Sequence, residues 1–237
     1  MTMLISSHQP SFFPWAGYWN KVANSDLVII SAGVKLDYGG YQNRVGMAGT
    51  WWTIPVRKGA KDLPIKDVRF DRAALPRVMK TGLQAFGGKR WRNAELVRAI
   101  LADTEAELGS SDLLLDLNMA AFSAVAAALG IRVSVHVDLN EPPAQLSKTE
   151  RLVSRLAPHA ERGDVYLSGN GSLDYLDEAQ WPDWLGLMAQ HRMNNVDSGT
   201  VLQLIAIAEE PLDTIEKSFA WREVNVSEHT GHRAALG

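Results

Sequence analysis

Two short apolar runs, Met3 to Ser6 and Asp26 to Ile30, flank a helix-compatible stretch from Trp15 to Val22. Runs of that length separated by a helical segment read as buried strands joined by a crossover. The pattern returns late in the chain, where Arg132 to Val137 reads as a strand, Lys148 to Leu156 as a helix and Val165 to Leu167 as a strand. Such alternation predicts an α/β fold, a mostly parallel sheet with helices on both faces. Between the two halves, Leu75 to Phe86, Asn93 to Leu108 and Ser111 to Leu129, the last closed by Gly130, are expected to form helices as an insertion or side layer. Trp51 to Val56 reads as a further strand after a loop containing Gly39, Gly40, Gly46 and Gly49, with Pro55 marking an edge or a strand end. No internal repeat or low-complexity run interrupts the 237 residues, which read as one α/β domain over 1–237 with a basic, largely helical segment at about 57–130.

Cysteine is absent, which excludes disulfides, zinc–thiolate sites and a thiol nucleophile. No run approaches the roughly 18 apolar residues of a membrane span. The start MTMLISSHQPSFF lacks a basic n-region, so a cytoplasmic protein without a membrane partner is expected. The net charge is −3, unevenly distributed: from Arg57 to Arg92 eleven Lys or Arg face three Asp, a balance of +8. A basic segment in an otherwise acidic chain fits a polyanion contact through exposed residues such as Lys58, Lys61, Lys89, Arg90 and Arg92. It equally fits a surface whose cations pair with the acidic remainder.

Ligands of open α/β sheets bind beyond the carboxyl ends of the strands, and three loops predicted there hold unusual residues. Ser7-His8-Gln9-Pro10 follows the first strand, placing His8 to meet a phosphate, to move a proton, or simply to cap the sheet. Ser168-Gly169-Asn170-Gly171-Ser172 follows Leu167, and its amides suit an anion or an ordinary turn. Lys148 and Arg151 lie three apart on one helix face, a spacing that grips a phosphate or makes surface ion pairs.

Taken together, His8-Gln9-Pro10-Ser-Phe-Phe-Pro14-Trp15-Ala-Gly17-Tyr-Trp-Asn-Lys21, Gln42-Asn43-Arg44, Lys148-Thr-Glu-Arg151-Leu-Val and Tyr166-Leu-Ser168-Gly169 with Tyr175-Leu176 resemble the WbqC-like family. The resemblance covers roughly residues 3–56 and 130–180, with nothing diagnostic between Arg57 and Gly130. That family includes bacterial proteins encoded with surface-polysaccharide genes and bacteriophage amino acid:DNA transferases. The chain is similar to the phage branch in size and in Gln190-His191-Arg192-Met-Asn194-Asn195. That branch implies attachment of free glycine or serine to 5-phosphomethyl-deoxyuridine in phage DNA, in the host cytoplasm, with release of phosphate. The alternative is an amine or acyl transfer to a nucleotide-linked sugar. On the first reading Gln9, Trp15, Lys21, Asn43, Arg44, Lys148, Arg151, Ser168, Gly169 and Gly171 bind substrate or its phosphate, and His8, Asp37 and His191 are candidate bases. Where the family leads one to expect acidic residues and a glutamine after the second strand, this chain has Ala32, Gly33 and Lys35, so neither a metal nor another cofactor is assigned.

Overall fold

The computed structural model describes residues 1–47, 49–169, 171, 173, 176–193 and 199–224. Its main sheet has six strands: β1 (Leu4–His8), β2 (Leu27–Ser31), β5 (Ser134–Asp138), β6 (Val165–Ser168), β7 (Gly186–Arg192) and β8 (Phe219–Glu223). They lie in the order β5-β2-β1-β6-β7-β8, parallel except for β8, which runs antiparallel to β7. Stepping outward from β1 the chain first goes to β2 and β5, then returns to β6 on the other side. The strand order therefore reverses between β1 and β6, and at such a switch point the crossover helices diverge to opposite faces and leave a crevice. The mostly parallel α/β architecture expected from the alternation is the one observed.

On one face, helix α1 (Ala16–Ala23) buries Tyr18, Trp19 and Val22 against Val28 and Ile30 of β2. The middle helices α2 (Leu75–Phe86), α3 (Ala94–Leu108) and α4 (Leu114–Leu129) and the later α6 (Val201–Ile207) and α7 (Pro211–Lys217) share that core. The middle helices are thus part of the principal core. On the other face α5 (Lys148–Leu156) packs Leu152 and Leu156 on Ile5, Ile29 and Tyr166.

Local chemistry sets several boundaries. Ser147 and Glu150 form a reciprocal capping box at the start of α5. Gly130 ends α4 at φ 69°, a left-handed turn glycine adopts without a Cβ clash. The predicted strand at Trp51 is shorter than expected: β4 is Thr50–Thr53 and stops before Pro55, which has no N–H for a ladder. Its partner β3 (Arg44–Met47) lies inside the glycine-rich segment read as loop, and the pair forms a separate two-stranded sheet.

Candidate functional site

His8 closes β1 at the switch point, and strand alternation divides its neighbourhood. Ser6 and His8 face α1: Ser25 Oγ donates to Ser6 Oγ at 2.8 Å, and the His8 ring packs on Tyr18 with centroids 4.0 Å apart. Ile5 and Ser7 face α5, and the Ser7 and Ser31 hydroxyls are 3.1 Å apart across β1 and β2. The site has two sides.

On the α1 side, Tyr18 and Lys21 stand three apart on the helix and both adjoin the end of β1. Burial, reinforced by the Lys21 ammonium, holds the His8 imidazole well below the ordinary histidine value, so it is neutral near pH 7. Burial likewise lowers Lys21 to about 8, although part of its side chain remains accessible, and raises the Tyr18 phenol. His8 Nε2 is buried and accepts or donates no hydrogen bond. A Cβ placed on Gly169 would lie 3.7 Å from Lys21 Nζ, so Lys21 reaches the loop after β6. Buried Ser168 donates from its hydroxyl to Gly169 O at 3.2 Å. The β1–β6 pairing thereby gathers His8, Lys21, Ser168 and Gly169, while Gly171 is exposed and Asn170 and Ser172 lie outside the described residues.

On the α5 side is a cavity of about 690 Å³ whose lining includes Ser7, His8, Gln9, Ser31 and Lys35 together with Lys148, Arg151 and Arg155. These cations outnumber the single carboxylate on its wall, Glu141, so the cavity suits an anion. Arg151 also fastens the preceding loop, donating from Nε to Leu146 O (2.9 Å) and from Nη2 to Ala144 O (2.7 Å). Arg155 Nε donates to Asp138 Oδ2 at 3.0 Å. Burial pushes the Asp138 carboxyl up, but hydrogen bonds from the Asn140 backbone, Arg155 and the Asn140 side chain outweigh it and hold the group ionised below the usual range.

The loop after β1 carries the rest of the motif in a fixed shape. Phe13 adopts φ 43°, costly for a bulky residue, and is held there by Thr200 Oγ1 donating to Phe13 O (3.0 Å) and by stacking on Trp52. Gln42 Nε2 donates to Gln9 Oε1, linking the loops after β1 and β2. Asn43 is turned inward, its Nδ2 donating to Ile54 O at 3.1 Å. Trp15 caps α1 between Tyr41 and Tyr18, and Arg44 stacks on Trp51. Asp37 is exposed on the loop after β2, away from the cavity wall, and His191 is exposed near the end of β7. Asn194 and Asn195 lie outside the described residues.

The basic segment divides in two. Arg57 and Arg69 pair with Asp112, Lys66 donates to Leu139 O, Arg72 to Gly109 O and Ser111 O, and Arg92 pairs with Glu209. Lys58, Lys61, Lys89 and Arg90 are exposed, Arg90 lying over Trp91. Of the aromatics beside them, Trp52, Phe70 and Phe86 are core residues and Trp51 is half exposed.

Three residues of the crevice were not singled out by the sequence reading, Ser31, Tyr18 and Arg155, and Ser7 entered it only as part of the His8 loop. Arg155 was signalled by its place one turn beyond Arg151 on the face that carries Lys148, and Tyr18 by its three-residue offset from Lys21. Ser31 and its meeting with Ser7 had no local signal, because strand pairing alone brings the two together. Among the described residues no cluster of three or more His, Asp or Glu has the arrangement to hold a metal ion. No described helix is long and apolar enough to cross a membrane.

A doubly wound α/β sheet with a cationic crevice at its switch point defines a ligand-binding class typical of nucleotide- and phosphate-handling proteins. The WbqC-like family model matches residues 9–184, and the chain belongs to that family, which points to a transferase-type enzyme. No curated protein and no solved structure matches the chain.

Proposed function

We propose that the protein transfers a free amino acid, glycine or serine, to 5-phosphomethyl-deoxyuridine in DNA with release of phosphate. The observation that carries this reading is the meeting, around one strand end, of a neutral buried His8 with Lys21 on one side and the Lys148/Arg151/Arg155 wall on the other. The amine nitrogen, or the serine hydroxyl, forms a bond to the exocyclic methylene carbon. The carbon–oxygen bond to phosphate breaks with its electron pair, and the nucleophile's proton passes to a base. His8 suits that task better than the exposed Asp37 or His191, because its packing on Tyr18 holds it unprotonated while it still lines the cavity. Lys148, Arg151 and Arg155 stabilise the departing anion, and Lys21 with the Ser168–Gly169 loop supports it from the α1 side.

The deciding experiment is mass spectrometry of nucleosides from phosphomethylated DNA incubated with the protein and each amino acid. A new nucleoside carrying the amino acid through nitrogen or oxygen on its exocyclic methylene, with stoichiometric phosphate, supports the reading, and its absence with every amino acid overturns it. The engagement of Arg57, Lys66, Arg69, Arg72 and Arg92 within the protein favours a second reading, transfer to a nucleotide-linked sugar, in which no extended DNA contact is needed.

A further inference from the structure

The loop after β2 and the β3–β4 hairpin expose Tyr38 (65%), Tyr41 (39%) and Trp51 (49%) on neighbouring segments. Trp51 and Tyr41 are in ring contact, centroids 6.2 Å apart, and Arg44 lies over the Trp51 ring at 4.1 Å. Arg44 is held in place: Gly39, at φ 100°, leaves the space its guanidinium occupies, since a Cβ there would come within 3.0 Å of Nη2. Beneath this surface are two buried polar atoms without hydrogen-bond partners, Arg44 Nε and Oε1 of Gln42, a residue only 4% exposed. The exposed rings are packed through to the crevice, rings following one another from Trp51 through Tyr41 and Trp15 (5.1 Å) to the buried Tyr18 (6.5 Å) and His8 (4.0 Å).

A rigid aromatic face carrying a fixed guanidinium is what stacks on a flat π-system attached to a phosphate. Charge agrees, since residues 35–56 hold Lys35 and Arg44 against Asp37 alone, with the exposed Lys58 just beyond. We propose that Tyr41 and Trp51, with Arg44, form a stacking platform for an unpaired nucleobase flanking the one that enters the crevice. The choice of ligand rests on the DNA reading above, and the platform supplies what that reading needs: a hold on the strand while one base is out of the stack.

The test measures binding of a short unmodified oligothymidylate and of an abasic oligomer of equal length, followed by fluorescence anisotropy. Trp51→Ala should weaken oligothymidylate binding by about 5- to 150-fold, the range for loss of one base–aromatic stack, and leave the abasic oligomer unaffected. Trp51→Phe should retain most of the affinity. Unchanged oligothymidylate binding in Trp51→Ala, or equal wild-type affinity for the two oligomers, overturns the proposal. So does a neutral oligosaccharide whose binding depends on Trp51 while oligothymidylate binding does not. Because no turnover is needed, base-dependent binding in a protein that transfers no amino acid would leave the platform standing, and transfer by a protein whose DNA binding ignores Trp51 would remove the platform alone.

Discussion

The His8 and Tyr18 ring centroids lie 4.0 Å apart, tilted by 41°, one at the end of β1 and the other in the first turn of α1. This contact packs one face of the histidine ring on the helix that carries Lys21, while the residue also lines the α5-side cavity bordered by Ser7. Histidine and cationic wall thereby border one cavity, where a displacement can gather its base and its leaving-group support around the same substrate.

Replacing His8 by Ala should lower the rate of transfer by about 10²- to 10⁴-fold, the usual worth of general acid–base catalysis, with substrate binding preserved. His8→Gln should match Ala if a proton is taken and recover part of the rate if the imidazole only donates a hydrogen bond. Single-turnover rates with binding measured separately decide it; wild-type turnover in His8→Ala would leave the residue a cap.

Lys21 makes stability depend on pH on the alkaline side. Its ordinary value is 10.5 and burial lowers it to about 8, so between those limits the unfolded chain binds more protons than the folded one. Stability should therefore rise as pH increases from about 8 to 10.5, and the benefit should be lost as pH falls back through about 8. Urea midpoints across this window should show a positive slope that Lys21→Met flattens; an equal slope in the variant would assign it elsewhere.

Arg151→Ala should abolish turnover while leaving overall fold and bulk DNA affinity nearly intact. The residue holds Leu146 O and Ala144 O with two separate donors, so Arg151→Lys, a single point donor, should fail to restore either the loop or the rate. Limited proteolysis at 140–147 reports the loop independently of activity; a fully active Lys variant would contradict the assignment.

The two groups of basic residues should behave differently. Lys89→Glu with Arg90→Glu should weaken duplex DNA binding and flatten its salt dependence, by about 0.9 in slope per lost phosphate contact, with stability unchanged. Arg69→Ala should instead lower stability, since it removes one of the two guanidinium groups paired with Asp112. Salt titrations and thermal denaturation of both variants separate the roles.

Gly82→Ala offers a test of packing against propensity. In an exposed helix the change gains up to about 1 kcal/mol. Here the added Cβ would meet Trp52 ring carbons at 2.5 and 2.6 Å, and that indole is fixed by Nε1 donating to Val78 O at 2.9 Å. The variant should be destabilised by about 1–3 kcal/mol in chemical denaturation.

What the sequence determined by itself was whatever depends on near neighbours. The limits of α2 and α5 agree with their apolar periodicity and the Ser147–Glu150 box, and the end of α4 with Gly130, because helix bonds and caps span only three or four residues. The strand–loop–helix–strand opening and the motif around His8 were legible for the same reason. Hidden were β3, four residues long with Gly46 in its middle, and β7 and β8, whose assignment depends on partners far along the chain. Tertiary structure alone decided that β6 returns beside β1, which brings Gly169 to Lys21, and that Ser7 and Ser31 meet next to His8 at the cavity. It also decided which cations of the basic segment are consumed by Asp112, Glu209 and backbone carbonyls. Strand order, facing and ion pairing are relations between distant residues, set by how two helical layers bury their apolar faces on one sheet, and no local pattern records them.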